Sequence, residues 1–319
     1  MPRVIPAFSA MVNDQIEGAA NADKGTRIEY MKKFAWLLLF ILISCGQDIM
    51  LSNQITLDCV KSQPTGHVPE DLYLLDSIQQ ISHYPPFTKK ITVCGVTLIA
   101  RDDVSNLFMK NVAQTIADMF IIHDGTDIAL QRELLTNLYR YRTVIPIFLG
   151  EDWNLSLTEE RLMNQTREEN SMCDIIMEGV SGQVTEVIEH ILHHISDVGL
   201  HYTMSEEWGL SNSSRLYRIA QEAIKKGYYK VDDYSEIEEV EVRNRVILQE
   251  YAYWVIYTAW DLKETFGPKE SEWLIQTAEE LESKLPESSQ LYKRTIPKVI
   301  TCPKGETLSR FIGDTNTKP

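Results

Sequence analysis

The stretch Val184-Thr-Glu-Val-Ile-Glu-His-Ile-Leu-His-His-Ile-Ser-Asp-Val-Gly-Leu-His201 holds four of the chain's seven histidines and divides its polar from its apolar side chains. Wound at about 100° per residue, Glu186, His193, His194 and Asp197 fall within roughly 60° of His190. Ile188, Ile191, Leu192, Ile195 and Val198 fall on the other side. The spacing predicts an amphipathic helix with one ligand-type stripe and one core stripe, terminated by Gly199. Imidazole is the commonest nitrogen ligand of transition metals, so the stripe is either a metal site or a solvated face that happens to hold histidines. The local charge pattern favours a metal. No lysine or arginine lies between Arg167 and Arg215, whereas Glu168, Glu169, Asp174, Glu178, Glu186, Glu189, Asp197, Glu206 and Glu207 are acidic. A solvated surface normally mixes charge signs.

Within the stripe, His190 and His194 are spaced i, i+4, as in the H-E-x-x-H helix of zinc proteases, but Ile191 stands at the glutamate position. The inverted H-x-x-E-H pattern would need glutamate where His193 stands. Glu189 and His193 form a second i, i+4 pair, one carboxylate and one imidazole. Downstream, Arg245-Val-Ile-Leu-Gln-Glu-Tyr-Ala-Tyr-Trp-Val-Ile-Tyr-Thr-Ala-Trp260 reads as a buried helix whose single carboxylate is Glu250. A buried carboxylate needs a cation, a metal or a proton. Its alternatives are ligation of a metal and an ion pair with an arginine such as Arg243.

Working outward, Ile91 to Ala100 is rich in β-branched residues and reads as one strand. Asp102 or Asp103 then caps a helix through about Phe120, and a second helix covers about Ile128 to Arg142. Val144 to Leu149 returns as a short strand whose Pro146 favours an edge position. The intervening Asp124-Gly125 turn resembles the centre of a calcium loop, but Phe120 and Ile122 would fall at ligand positions. Glu159 to about Asn170 is a further helix, and Cys173 to Met177 a short strand. Ser211 to Ser214 caps another helix, and Pro268 to Leu285 reads as an amphipathic helix closed by Pro286. This order predicts an α+β fold in which helix predominates. It has a small strand-containing N-terminal part and a helical C-terminal part, in one domain from about Asp71 to Pro319 with a subdivision near residue 200.

The N-terminal region carries an address. Met31-Lys32-Lys33, the apolar run Phe34 to Ile43 and Leu42-Ile43-Ser44-Cys45-Gly46 have the basic, apolar and small-residue parts of a secretion signal, too short to span a bilayer. The end of this run resembles the bacterial lipobox, which makes Cys45 the expected lipid anchor. Gly46 and Gln47 place no aspartate beside it, which directs the expectation to an outer-membrane lipoprotein in the cell envelope. Residues 1–30 then read as an over-extended start, 31–44 as the signal and 45–70 as a tether.

A net charge of −15 and a sequence pI near 5.0 argue against a nucleic-acid partner. Cys59, Cys94, Cys173 and Cys302 could form two bridges in any of three pairings. The sequence contains no Walker loop, G-x-G-x-x-G fingerprint or G-x-S-x-G elbow, which leaves nucleotide and serine-hydrolase chemistry without support.

Two resemblances bear on function. Ile188-Glu-His-Ile-Leu-His-His-Ile-Ser-Asp-Val-Gly199 looks like a motif, roughly E-[EH]-x-L-H-x-[IV]-[ST]-x-x-G, of an uncharacterised set of secreted bacterial proteins, many of them marine. Gly95-Val96 and Asp124-Gly125 are also similar to that set. The resemblance points to Glu189, Leu192, His193 and Gly199, allows either residue type at His190, and implies no particular activity. A more distant resemblance is to lethal-factor-like zincin metallopeptidases, which carry two zinc histidines on one helix and a glutamate ligand on a later aromatic helix. It implies a zincin-like fold, zinc bound by residues among His190, His193, His194 and Glu250, a peptide substrate and Glu189 as the nearest base. A tyrosine such as Tyr202, Tyr228, Tyr229 or Tyr234 would be the oxyanion donor. The chain departs from that family at Ile191. The expected function is therefore either an envelope-anchored metal-dependent peptidase or a non-catalytic lipoprotein that uses the same scaffold for binding or envelope maintenance.

Overall fold

The computed structural model describes residues 59–61, 63–151, 153–268 and 271–312. The expected extension, the signal segment, Cys45 and residues 46–58 of the tether lie outside the described residues. Five strands form one sheet in the order β1-β2-β3-β4-β5: β1 Gln79–Tyr84, β2 Phe87–Val93, β3 Val96–Ala100, β4 Val144–Leu149 and β5 Ile176–Glu178. The first three pair antiparallel, and β3, β4 and β5 run parallel. The helices are α1 Asn106–Met119, α2 Ile128–Arg140, α3 Leu157–Glu169, α4 Gln183–His194, α5 Arg215–Lys225, α6 Val240–Ala259, α7 Ala278–Lys284 and α8 Pro286–Thr295, with shorter turns between them. The fold is thus α+β, with the sheet in the N-terminal part and helices beyond it. Among the described residues no helix is long and apolar enough to cross a membrane.

Several local expectations change. The run Ile91 to Ala100 is two strands, because Cys94 and Gly95 take positive φ of 47° and 80° and turn the chain between Val93 and Val96. Two successive left-handed residues make the tight turn that matches strand twist, and cysteine gives no turn signal in a sequence. Gly95 is also required for space, since a Cβ there would lie 2.6 Å from the Leu135 carbonyl oxygen. Ser105, not Asp102 or Asp103, caps α1 by accepting from Phe108 N at 3.0 Å, while Asp102 accepts from the Thr88 hydroxyl. Asp127 caps α2, and Ser156 with Glu159 forms a capping box at the start of α3.

β4 is an interior strand, contrary to the edge position expected from Pro146. It pairs with β3 through Pro146 itself, opposite Ile99, and with β5 from Ile147 onward. The explanation lies on the β5 side. Val144 N donates to Ser171 O, and strand alternation turns the nitrogen of Pro146 to that same side. Between the Thr143–Ser171 bridge and the Ile147–Ile176 pair, three residues of β4 face four of the neighbouring segment, Met172, Cys173, Asp174 and Ile175. Proline has no donor to offer there, and the extra residue bulges out of the ladder.

The histidine helix does not end at Gly199. α4 continues through a π-helical segment, Ile195–Leu200, into His201–Thr203. Gly199 instead lets α2 approach, since a Cβ there would sit 3.0 Å from Leu134 Cδ2. Residue 200 thus lies inside continuous helix. The helix expected over Pro268 to Leu285 is reduced to α7. Trp273 before it is buried and bridges to Tyr229, and Pro286 opens α8 instead of closing its predecessor, as a proline in the first helical turn can. The end of the expected tether is also fixed, because Cys59 is buried in a disulfide with Cys173 and Thr65 N donates to Arg140 O. Cys94 and Cys302 are free thiols, so a single pairing is made among the four cysteines.

Candidate metal centre

α6 lies against α4, and β5 against α4 from the other direction. α6 is apolar or aromatic nearly all round and buries Tyr251, Ala252, Tyr253, Val255 and Ile256. The histidines of α4 are therefore buried, while Glu186 and Glu189 stay partly exposed. His190 is 5% exposed and His193 and His194 are 0% exposed, which excludes the solvated-face reading.

Three side chains come together at the α4–α6 contact. Ligand atoms of Glu189, His193 and Glu250 lie within 4.8 Å of one another and could hold a metal ion. Glu189 and His193 come from one face of α4, one turn apart, and Glu250 from α6. His193 Nε2 faces Glu250 Oε2 at 3.4 Å, yet it is buried without a hydrogen-bond partner. The two atoms are near each other but are not aligned as donor and acceptor, the disposition expected of two atoms aimed at a common point. On its other side, His193 Nδ1 hydrogen-bonds Asp174 Oδ2 at 2.8 Å, which fixes the ring and leaves Nε2 to look inward. A carboxylate behind a ligating imidazole is the usual means of orienting it.

Asp174 lies in the four-residue stretch that faces the three β4 residues ending at Pro146. Its Oδ2 also lies 2.9 Å from His190 Nδ1, and Asp174, His190 and His193 make a second group that could hold an ion. His190 Nε2 lies 3.3 Å from Glu186 Oε2, and Glu186 Oε1 accepts from Met177 N of β5. His194 belongs to neither group. Its Nδ1 is bonded to the His190 carbonyl at 2.8 Å, and its Nε2 accepts from the Cys173 and Asp174 amides at 3.2 and 3.4 Å. The expected ligand His194 thus has both nitrogens engaged, Nδ1 within its own helix and Nε2 on the Cys173 and Asp174 amides.

Electrostatics follow from burial and from the surplus of carboxylates. Burial, then the Glu250 charge, pushes the Glu189 carboxyl up to about 8. Burial by itself would lower His193, but Glu250 and Asp174 outweigh it and raise the ring to about 10. His190 is likewise raised well above the ordinary imidazole range, with Asp174 and Glu186 overcoming burial. Those two imidazoles overcome the burial of Asp174 and hold its carboxyl well below the usual carboxylate range. His194, without such a partner, is lowered by burial to about 4. Four carboxylates thus share two imidazoles, and divalent charge is what the cluster lacks.

Other expected participants lie elsewhere. Arg243 donates to the Ile237 carbonyl, and the arginine that enters the helix contact is Arg245, which pairs with Asp197 at 3.1 Å. Tyr202 donates to the Lys61 carbonyl, Tyr229 to the Ile247 carbonyl, and Tyr228 lies under the Lys284 ammonium. Tyr234 is buried near Tyr229. The tyrosine nearest the centre is Tyr253, whose ring stands 5.7 Å from that of His193 and whose hydroxyl is buried without a hydrogen-bond partner. Its position one turn after Glu250 was the available signal. Asp174 was visible only as one acid among nine, because its role depends on the bulge.

Comparison with protein-family models, with curated proteins and with solved structures finds no match to this chain.

Proposed function

We propose that this chain is a metal-dependent peptidase of zincin-like plan, anchored in the bacterial envelope through Cys45, with zinc held by Glu189, His193 and Glu250. The observation that carries the reading is the convergence of these three side chains from two helices, with a buried His193 Nε2 that has no hydrogen-bond partner. One imidazole and two carboxylates are ligands that zinc accepts. Relative to the expected H-E-x-x-H frame, the ligand pair moves back one residue, from His190 and His194 to Glu189 and His193. In that frame the residue following the first ligand is His190, so the chain still departs from the glutamate of the H-E-x-x-H pattern.

When bound, the metal would polarise a peptide carbonyl and lower the pKa of a bound water. The protein's own residues do the rest. Asp174 orients His193 through Nδ1, Glu189 sheds at a cation's approach the proton that burial lets it keep near neutral pH, and Tyr253, Trp254 and Tyr257 of α6 exclude water from behind the ligands. The test is incubation of the zinc-loaded full chain with a broad peptide library. Cleavage that is lost on chelation and in Glu250→Gln is expected. A Cys45→Ser chain that incorporates the same acyl label as the unaltered one would remove the anchor from the proposal.

A second reading, a non-catalytic lipoprotein using the same centre for binding or envelope maintenance, has one observation of its own. Glu189, the carboxylate expected to serve as base, stands in the ligand group instead. Zinc uptake with no cleavage of any library member would select it.

A further inference from the structure

We propose that the centre takes two divalent cations, not one, with the His193 ring between them: one ion on Nε2 with Glu189 and Glu250, the second on Nδ1 with Asp174 and His190. The inference deepens the metal reading above and rests on it. Its geometric basis is that both three-residue groups exist at once in the same structure, ligand atoms within 4.8 Å in each, and that they share only His193.

An acidic group near a histidine is not by itself a site, and the second ion stands on a further observation. His190 has a side chain only 6% exposed, and its Nδ1 lies 2.9 Å from Asp174 Oδ2 but has no hydrogen-bond partner. The same misalignment occurs across the inner group, between His193 Nε2 and Glu250 Oε2. In both places a buried nitrogen and a carboxylate oxygen approach without pointing at each other, as two ligands of one ion do. Asp174 Oδ1 is occupied by the Ile175 amide at 2.8 Å, which leaves Oδ2 as the oxygen turned to the histidines.

Charge and access agree. Asp174, Glu186, Glu189 and Glu250 carry four negative charges when ionised and a doubly ligated His193 a fifth, against the four positive charges of two divalent ions. Each group has two buried members and one partly exposed carboxylate, Asp174 in the outer group and Glu189 in the inner, through which an ion can enter from solvent. Loading the second ion removes the protons from His193 Nδ1 and His190 Nδ1, which pass to solvent, and leaves His193 as an imidazolate between the ions; no electron moves.

Stoichiometry decides the matter. The full chain is stripped with chelator, reloaded with excess Zn²⁺, desalted and assayed for zinc per chain, beside Glu250→Gln, His190→Gln and Asp174→Asn, each checked for native melting. Two ions are expected in the unaltered chain and one in every variant that folds. One ion in the unaltered chain overturns the second site and leaves the first standing; none removes both. Two ions unchanged by His190→Gln or Asp174→Asn put the second ion elsewhere and also overturn the inference. Reloading the unaltered chain with Cu²⁺ tests the shared ring without any variant. Two spins coupled through one imidazole give a paramagnetic resonance intensity well below two per chain, whereas two independent spins overturn the bridge.

Discussion

Two buried polar clusters lie within about one helical turn of each other between α4, its π-helical continuation and α6, and they are built on opposite principles. In the first, Asp197 at 0% and Arg245 at 5% side-chain exposure pair at 3.1 Å, and Arg245 also bonds Gln249. Its opposite charges meet inside the protein. In the second, the carboxylates of Asp174, Glu186 and Glu250 face imidazoles, with backbone amides on Asp174 and Glu186, and two buried ring nitrogens lack hydrogen-bond partners. Burial of charge is common to both and so marks neither as functional. What separates them is that the first is complete without a ligand and the second is short of positive charge.

Experiments can break or sharpen that contrast. The largest effect is expected where the metal cluster is tied to the rest of the fold. Cys59 and Cys173 close a loop with a sequence separation of 114 residues, and Cys173 adjoins Asp174. By chain entropy, loss of that bridge in Cys59→Ser should cost about 5 kcal/mol in urea unfolding, and zinc affinity should fall as the bulge loosens. An unchanged affinity would detach the disulfide from the centre.

The complete cluster comes next. Arg245→Met leaves a buried aspartate unpaired and should cost about 4 kcal/mol, with zinc binding retained in the molecules that remain folded. A smaller loss than that of Glu250→Gln would invert the comparison. Glu250→Gln relieves carboxylate crowding against Glu189 and should shift the stability of the metal-free chain by only about 1 kcal/mol in either direction. The informative quantity there is metal linkage. Zinc at a hundredfold excess over the dissociation constant of the inner ion should stabilise the unaltered chain by about 2.7 kcal/mol more than Glu250→Gln, which keeps only the outer ion, measured as the shift in melting temperature.

An effect smaller than that metal linkage comes from a histidine outside both clusters. His201 is lowered by burial to about 4, and its Nδ1 accepts from Leu210 N. A neutral ring favoured by the fold means that the unfolded chain binds the extra proton. Its contribution is full above about 6.5, falls as pH drops from there towards 4, and is level below. Allowing for partial exposure, that is about 2 kcal/mol of acid destabilisation. In His201→Asn the amide oxygen keeps the Leu210 contact without titrating, so the slope over that window should flatten in pH-dependent melts.

How much of this the sequence declares depends on whether the determinant is local. Asp127 and the period of α2 fix that helix within a few residues. The isolation of Glu250 in an aromatic run and the want of cations between Arg167 and Arg215 both point correctly at the α4–α6 contact. The hairpin at Cys94 and Gly95 is invisible because one of its two left-handed residues is a cysteine. Pro146 misleads for the opposite reason, since the rule confining proline to edges assumes a regular neighbour and β5 is not one. Asp174 could not be singled out at all, as its distance to His193 is set by a register on the far side of the sheet. The choice between His193 and His194 likewise turns on which ring meets the Asp174 carboxylate and which meets the backbone amides, and periodicity assigns both to the same stripe.

The three-against-four count beside Pro146 makes the centre depend on chain length as much as on composition. Every metal-type side chain on α4 and α6 could be left untouched, and removing one residue between Ser171 and Ile176 would still draw Asp174 back towards the plane of the sheet. A Pro146→Val change would add the missing backbone donor and favour the same tightening. The sheet would then gain a regular rung at the expense of the carboxylate that aims His193. In descendants of this chain, insertions and deletions in that short segment would erase the centre more effectively than most substitutions.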